Sequence, residues 1–266
     1  MKVLITGGTG YIGSALHHYL RNYSHTIDTV DSGVRGTHSN PNNYKIGYKF
    51  LAAGFMDRYD AIIHLAGHSS VTAAKEDPSG AFDNNVASFH QLLQNLSGQP
   101  LIYASSSSVY SIADSNMYDF SKATCDTLAD FLYPNHYALR FGTVCGCSPN
   151  MRWDLMINSM VKSGMETGTI SVRNQGVRRP VLGIWDLCRS VERLLTRPHT
   201  PGVYNLASFT LTVGEIAALV AETGGWDLTT QPDTPTYDFE MPTVHRIWPY
   251  LDTVEKITQR LIKTCF

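Results

Sequence analysis

The chain has 266 residues, 43% of them apolar, and a formal net charge of −2, enough for one large domain or a domain with an added lobe. Its Lys and Arg are scattered, so no basic stripe offers itself to nucleic acid or a membrane surface, and no apolar run approaches the ~18 residues of a membrane span. Five cysteines, Cys125, Cys145, Cys147, Cys188 and Cys265, are too few and too uneven for a secreted disulfide framework. The Cys145-Gly-Cys147 pair has neither zinc-ligand spacing nor a partner pair, so no metal is expected. The composition reads as a cytoplasmic protein with reduced, buried thiols.

In chain order, Val3-Leu4-Ile5-Thr6 predicts a strand that breaks at a glycine cluster and resumes as a helix through Ala15, Leu16, Tyr19 and Leu20. Because the apolar run passes straight into a glycine turn, it reads as a strand rather than a signal peptide. In such a turn Gly7 lets the chain reverse and Gly10 admits a phosphate against bare backbone, while Gly13 lets the helix sit close on the strand. The helix N-terminus offers free N–H groups and a positive dipole end, which suit a pyrophosphate. A second strand over residues 26–31 ends on Asp31, eighteen residues beyond Gly13. An acid near that spacing receives adenosine ribose hydroxyls and repels a 2′-phosphate, which points to NAD. A turn-capping aspartate is the structural alternative, and Arg35 leaves room for NADP.

Residues 33–49, rich in Gly, Asn, Pro and Lys, read as an irregular connection. Next come a buried strand over 60–67, a helix over 78–96 with Phe82, Val86, Phe89, Leu92 and Leu93 on one stripe, and a strand over 100–104 that runs into Ser105 to Ser108. A helix over 118–132 and a strand over 136–141 complete the regular alternation. Beyond residue 142 the rhythm changes to a helix over 155–163, strands at 169–172 and 178–185, a helix over 186–195, a strand over 203–207, and helices over 213–223 and 253–263 flanking a proline-rich stretch. The alternation predicts an α/β fold, a Rossmann-type doubly wound parallel sheet with a smaller mixed α/β C-terminal lobe. The expected division is a dinucleotide domain of residues 1–142, to which 180–206 returns, and a substrate lobe of 143–179 and 207–266.

Tyr118-Asp-Phe-Ser-Lys122 carries the strongest catalytic signal. Positions i and i+4 share a helix face, so the ammonium of Lys122 can lie near the phenol of Tyr118. A phenol ordinarily titrates near pH 10 and needs positive neighbours to act as a base near neutrality. The alternative is a surface tyrosine beside a solvated lysine.

The order of these features resembles the extended short-chain dehydrogenase/reductase family, in particular its nucleotide-sugar epimerases and dehydratases of the UDP-glucose 4-epimerase type. The resemblance is carried by Thr6-Gly-Gly-Thr-Gly-Tyr-Ile-Gly13, His64-Leu-Ala-Gly67, Asp83-Asn-Asn-Val86 and Ser105-Ser-Ser-Ser-Val-Tyr110, and more loosely by Arg179 to Asp186; it runs from Met1 to about Asn205. It implies NAD held by Gly7, Gly10, Tyr11, Ile12, Gly13 and Asp31, by the backbone of Leu65, Ala66 and Gly67, by Asn84 in preference to Asn85, and by Tyr118 and Lys122. It implies Ser106 as the hydroxyl that orients a sugar beside Tyr118 and Lys122. On the substrate side it implies Ser106, Thr143 (where many epimerases carry Asn), Arg152, Asn158 and Arg179, with Arg246 as the nearest match to a second phosphate arginine.

Two departures bear on the reaction. Ser107 and Ser108 stand where the dehydratases place Asp-Glu, which disfavours a 4,6-dehydratase, and the connection from Ser106 to Tyr118 is short. The expectation is therefore an NAD-dependent epimerase acting at C4 of a nucleoside-diphosphate hexose through a transient keto-sugar. The alternatives are a one-way NAD(P)-dependent nucleotide-sugar reductase or dehydrogenase, and a non-catalytic dinucleotide-binding protein. The resemblance also implies a homodimer through the helices around 80–96 and 118–132, where Phe89, Leu128 and Phe131 would serve either a contact or a monomer's core.

Overall fold

A computed structural model describes residues 1–33, 43–69, 71–114, 116–234, 236 and 241–265; Arg35 and part of the proline-rich stretch lie outside them. The first half runs β1 (Lys2–Thr6), α1 (Tyr11–Leu20), β2 (Thr26–Val30), β3 (Asn43–Tyr44), α2 (Ala53–Met56), β4 (Ala61–His64), α3 (Val71–Glu76), α4 (Pro78–Phe82), α5 (Ser88–Gln94), β5 (Leu101–Ser106), α6 (Met117–Leu132) and β6 (His136–Phe141). The second half runs β7 (Thr143–Cys145), α7 (Met156–Thr167), β8 (Thr169–Val172), β9 (Arg178–Gly183), α8 (Ile184–Thr196), β10 (Gly202–Leu206), β11 (Phe209–Thr212), α9 (Val213–Gly224), β12 (Asp227–Thr230) and α10 (Val254–Cys265).

Seven parallel strands form the main sheet in the order β10-β6-β5-β4-β1-β2-β3. Its central strands are apolar on both faces, as a sheet covered on both sides requires. Successive side chains alternate between two cores. Val3, Ile5, Ile63, Ile102 and Leu139 pack with Leu16 and Leu20 of α1 and with Leu187 and Val191 of α8. Leu4, Ile62, Leu101 and Tyr103 pack on the other side with Phe89 and Leu92 of α5 and with Ala129 of α6. The strand order reverses between β1 and β4, the switch point at which open α/β sheets bind ligands beyond their strand ends.

A three-stranded sheet, β11-β9-β7, and a β12-β8 pair make up the second lobe, packed with α7, α9 and α10 around Ile157, Val161, Ile216, Val220, Ile257 and Leu261. The return to the main sheet begins at α8 rather than at residue 180, because β9 pairs with β7 and β11. Within the expected irregular connection, Asn43–Tyr44 adds an edge strand to β2. The expected helix over 78–96 is interrupted by a π turn, Asp83–Ala87, where the Ser88 hydroxyl bonds to the Asp83 carbonyl at 2.7 Å. Such turns often mark functional sites, and this one turns Asn85 inward. Among the described residues, no helix is long and apolar enough to cross a membrane.

Candidate active site

The glycine turn lies between β1 and α1 as its sequence requires. Gly7 has φ +74°, and a Cβ there would fall 2.6 Å from the Ala66 nitrogen. A Cβ on Gly13 would fall 2.1 Å from the Gly7 carbonyl oxygen, so the helix can approach only where that residue has no side chain. At Gly10 a Cβ would meet only that same oxygen, at 3.3 Å, which leaves the side toward α1 open. No side chain caps α1, so its first N–H groups face the open side without one.

At the end of β2, Asp31 accepts from the Thr9 N–H at 3.1 Å and the Gly33 N–H at 2.8 Å. The Thr9 hydroxyl is buried with no hydrogen-bond partner. An uncapped helix end, a bare backbone face, an orphaned hydroxyl and a carboxylate at the ribose position together fit a dinucleotide. Tyr11 opens α1 at this turn. Its phenol is drawn away into the second lobe, donating to the Gly146 carbonyl at 2.7 Å, and burial pushes its pKa well up.

Beyond the turn opens a cavity of about 250 Å³, lined among others by Ile12, Leu65, Gly67, Ser106, Tyr118, Lys122, Thr143, Arg152 and Arg179. The N-cap of α6 positions Tyr118: the Asn116 side-chain oxygen accepts from the Tyr118 N–H at 2.9 Å and the Asp119 N–H at 3.2 Å. One turn on, Lys122 donates to the Ala104 carbonyl at 2.7 Å, and its Nζ lies 6.0 Å from the centre of the Tyr118 ring. Tyr103 and Ser105 send their hydroxyls to buried Asp126, each at 2.9 Å. Ser106 instead pairs with Ser108, oxygen to oxygen, at 2.8 Å.

Asp119, the residue after Tyr118 in the first turn of α6, is 1% exposed and has its carboxyl pushed above the usual range by burial. His64 closes β4, buried beside Thr6, 2.7 Å from Thr6 Oγ1 to its Nδ1. Burial first, then the charge of Lys122, push its imidazole down to about 3.

Three expectations need correction. Asn84 does not line the cavity; its amide donates to Asn85 at 3.3 Å and its carbonyl accepts from Tyr48. Asn85 instead holds both backbone groups of the cavity residue His68, accepting from its N–H at 2.7 Å and donating to its carbonyl at 3.1 Å, and also donates to Ser121 between Tyr118 and Lys122 at 3.1 Å. Asn158 is fully buried and cannot reach a diphosphate; it accepts from the Gly146 N–H at 2.9 Å and donates to the Tyr11 hydroxyl at 3.1 Å and the Arg152 carbonyl at 2.9 Å. Arg246 lines a separate recess of about 410 Å³ with Phe209, Leu219 and Asp252.

The two remaining arginines line the cavity from the second lobe. Arg152 is paired with Asp154 and donates to Ser69 at 3.4 Å; Arg179 donates to the Arg178 carbonyl at 2.9 Å and to Thr236 at 3.0 Å. His68, which no sequence motif singles out, also lines the cavity, and its Nδ1 is buried without a partner. A single histidine in a loop has no periodicity to announce it; its only signal is its place just after His64-Leu-Ala-Gly67.

The family model for the NAD dependent epimerase/dehydratase family matches residues 3–207. The chain belongs to that family. NAD is therefore its cofactor, and the turn described above fits it. Over 240 residues the chain is 29% identical to Protein CapI of Staphylococcus aureus, covering 76% of this chain and 71% of that protein. Over 179 residues it is 28% identical to a UDP-glucose 4-epimerase of Streptococcus mutans, covering 56% of this chain and 54% of that enzyme.

Among solved structures, the NAD-dependent NDP-hexosamine 5,6-dehydratase TunA superposes with a TM-score of 0.84 at 21% identity, over 98% of this chain and 96% of that one. The UDP-glucose 4-epimerase from Bifidobacterium longum, in complex with NAD+ and UDP, superposes with a TM-score of 0.81 at 18% identity, over 100% and 99%. At such identities the structures show the shared fold. Epimerases and dehydratases both stand among the relatives, so the family leaves the choice of reaction to the site.

Proposed function

We propose that this member of the family is an epimerase acting at C4 of a nucleoside-diphosphate hexose. The observation that carries the reading is the composition of the cavity. Ser106, Tyr118 and Lys122 meet there beside the dinucleotide turn, two arginines line it from the second lobe, and its described lining includes no Asp or Glu. Expelling a sugar hydroxyl calls for an acid at that hydroxyl, whereas inverting a carbinol carbon calls for one group that removes and returns a proton.

Tyr118 takes the C4 hydroxyl proton and gives it back, while Ser106 holds that hydroxyl in place. Lys122, pinned by the Ala104 carbonyl, sets a positive charge toward the Tyr118 and sugar oxygens while the proton passes between them. Bound NAD supplies the acceptance and return of a hydride. Arg179 and Arg152 offer guanidinium forks to a diphosphate, and Arg152 must exchange Asp154 for that ligand, a small cost for an exposed pair. Thr143 lines the sugar end from β7.

Dehydration is the second reading, and one observation favours it: His68 places an imidazole in the same cavity as Tyr118. Incubation with UDP- and dTDP-hexoses, followed by separation of products, distinguishes the two. A C4 stereoisomer supports epimerisation, a keto-deoxysugar supports dehydration, and no product from any sugar overturns both.

A homodimer is part of the same proposal. Phe89 belongs to the core at 1% exposure, so it drops out of the expected contact. On α6, however, Phe120, Phe131 and Leu132 are 48%, 84% and 49% exposed, an apolar face suited to a second copy.

A further inference from the structure

Cys147 lies just beyond β7 and Cys265 at the end of α10, 118 positions apart, yet their sulfurs are 2.6 Å from one another. A disulfide bond spans about 2.05 Å, so closing one here requires roughly half an ångström of movement. The alternative partner, Cys145, is buried and directs its sulfur to the Leu182 carbonyl at 3.8 Å. The Cys147 thiol also reaches the Arg260 carbonyl on α10 at 3.4 Å, and the Cys265 sulfur lies 4.0 Å from that of Met151. We infer that Cys147 and Cys265 form a reversible disulfide that staples α10 to the segment 146–152.

That segment supports the active site. Its Gly146 carbonyl accepts from the Tyr11 hydroxyl at 2.7 Å, its Ser148 hydroxyl donates to the Tyr11 carbonyl at 2.6 Å, and the Asn150 amide donates to the Thr9 carbonyl at 2.9 Å. Arg152, at its end, lines the cavity. The staple therefore joins the C-terminal helix to the residues that brace the glycine turn. It expands the reading of the five cysteines as reduced thiols, since intracellular disulfides, where they occur, are often redox-sensing.

The oxidant is an external disulfide of the glutathione class. One protein thiolate attacks it, forming a mixed disulfide and releasing one glutathione thiol; the second protein thiol, losing its proton, then displaces the second glutathione. Two protein thiols thus give up two protons and two electrons, which leave as two molecules of reduced glutathione. Burial, with Cys265 alongside, pushes the Cys147 thiol up, so the exchange is slow near neutrality and quickens as pH rises.

The test equilibrates the full folded chain in buffers of varied reduced-to-oxidised glutathione ratio, followed by acid quench, alkylation, digestion without reductant and mass spectrometry. The expected result is a cross-linked pair of peptides containing Cys147 and Cys265, and a melting temperature that falls by roughly 10 °C on full reduction, as a long closed loop implies. Cys265→Ser should lose both the cross-link and the redox dependence of melting, while a Cys145→Ser variant keeps both. Alkylation of both thiols at every ratio, a cross-link through Cys145, or equal melting temperatures in oxidised and reduced protein would each overturn the inference.

Discussion

Tyr118 meets the cavity because Asn116 fixes the first turn of its helix and Lys122 follows one turn later. Tyr118→Phe should lower kcat by ~10²-fold or more while leaving NAD binding intact, as loss of a general base requires; a variant retaining a tenth of wild-type turnover removes Tyr118 from the mechanism. Arg179→Lys keeps the charge but loses the planar fork, so the Michaelis constant for the nucleotide sugar is expected to rise about tenfold with little change in kcat. Kinetics that show the reverse split would place Arg179 at the chemistry rather than at the diphosphate.

That Tyr118, Lys122 and Ser106 line one cavity was legible in the sequence because a fixed spacing on a helix and a fixed place after a strand translate directly into positions. Asn84 and Asn158 misled for physical reasons. The π turn rotates Asn85, not Asn84, toward the cavity loop, and such a turn leaves no mark in a pattern of apolar residues. Asn158 faces inward on α7 to satisfy Gly146 and Tyr11, and the second of these partners lies 147 positions away in the chain.

Single elements carry their own expectations. Removing the α6 cap with Asn116→Ala should cost about 1 kcal/mol in denaturant unfolding. It should also lower kcat, since the same cap orients Tyr118; unchanged stability would show that the cap is dispensable.

At the end of β4, His64 titrates at about 3 in the folded protein, lowered by burial and then by Lys122, but near 6.5 unfolded. The unfolded chain therefore binds a proton that the folded chain refuses. Its stabilisation is complete above about pH 6.5 and is lost as pH falls toward 3, a change on the order of 5 kcal/mol. Chemical denaturation across that window should be less pH-dependent in His64→Gln than in the wild type, and parallel curves would sink the assignment. The strands β1, β4, β5 and β6 were readable as buried apolar runs. Strands β3, β7, β11 and β12 were not, because they are held by pairing with distant partners rather than by local pattern.

For the whole molecule, the alternation of strands and helices revealed the doubly wound sheet and the change of rhythm after residue 142 revealed a second lobe. The exact crossing between them depended on β9 pairing with β7 and β11, which only the assembled fold displays. The proposed dimer rests on the exposed face of α6. Phe131→Asp should shift sedimentation equilibrium from dimer to monomer, whereas a wild-type protein that already sediments as a monomer rules the contact out.

The central claim is that one cavity removes and restores a proton at the C4 hydroxyl, and a hydride at C4 itself, without net oxidation. Its most direct test is to incubate the protein, with NAD, with a nucleoside-diphosphate hexose deuterated at C4, following the product by mass and stereochemistry and the solution by its reduced-nicotinamide absorbance. The expected result is the C4 epimer with deuterium retained and no net rise in that absorbance. A keto-deoxysugar product, or stoichiometric accumulation of reduced nicotinamide, would contradict it.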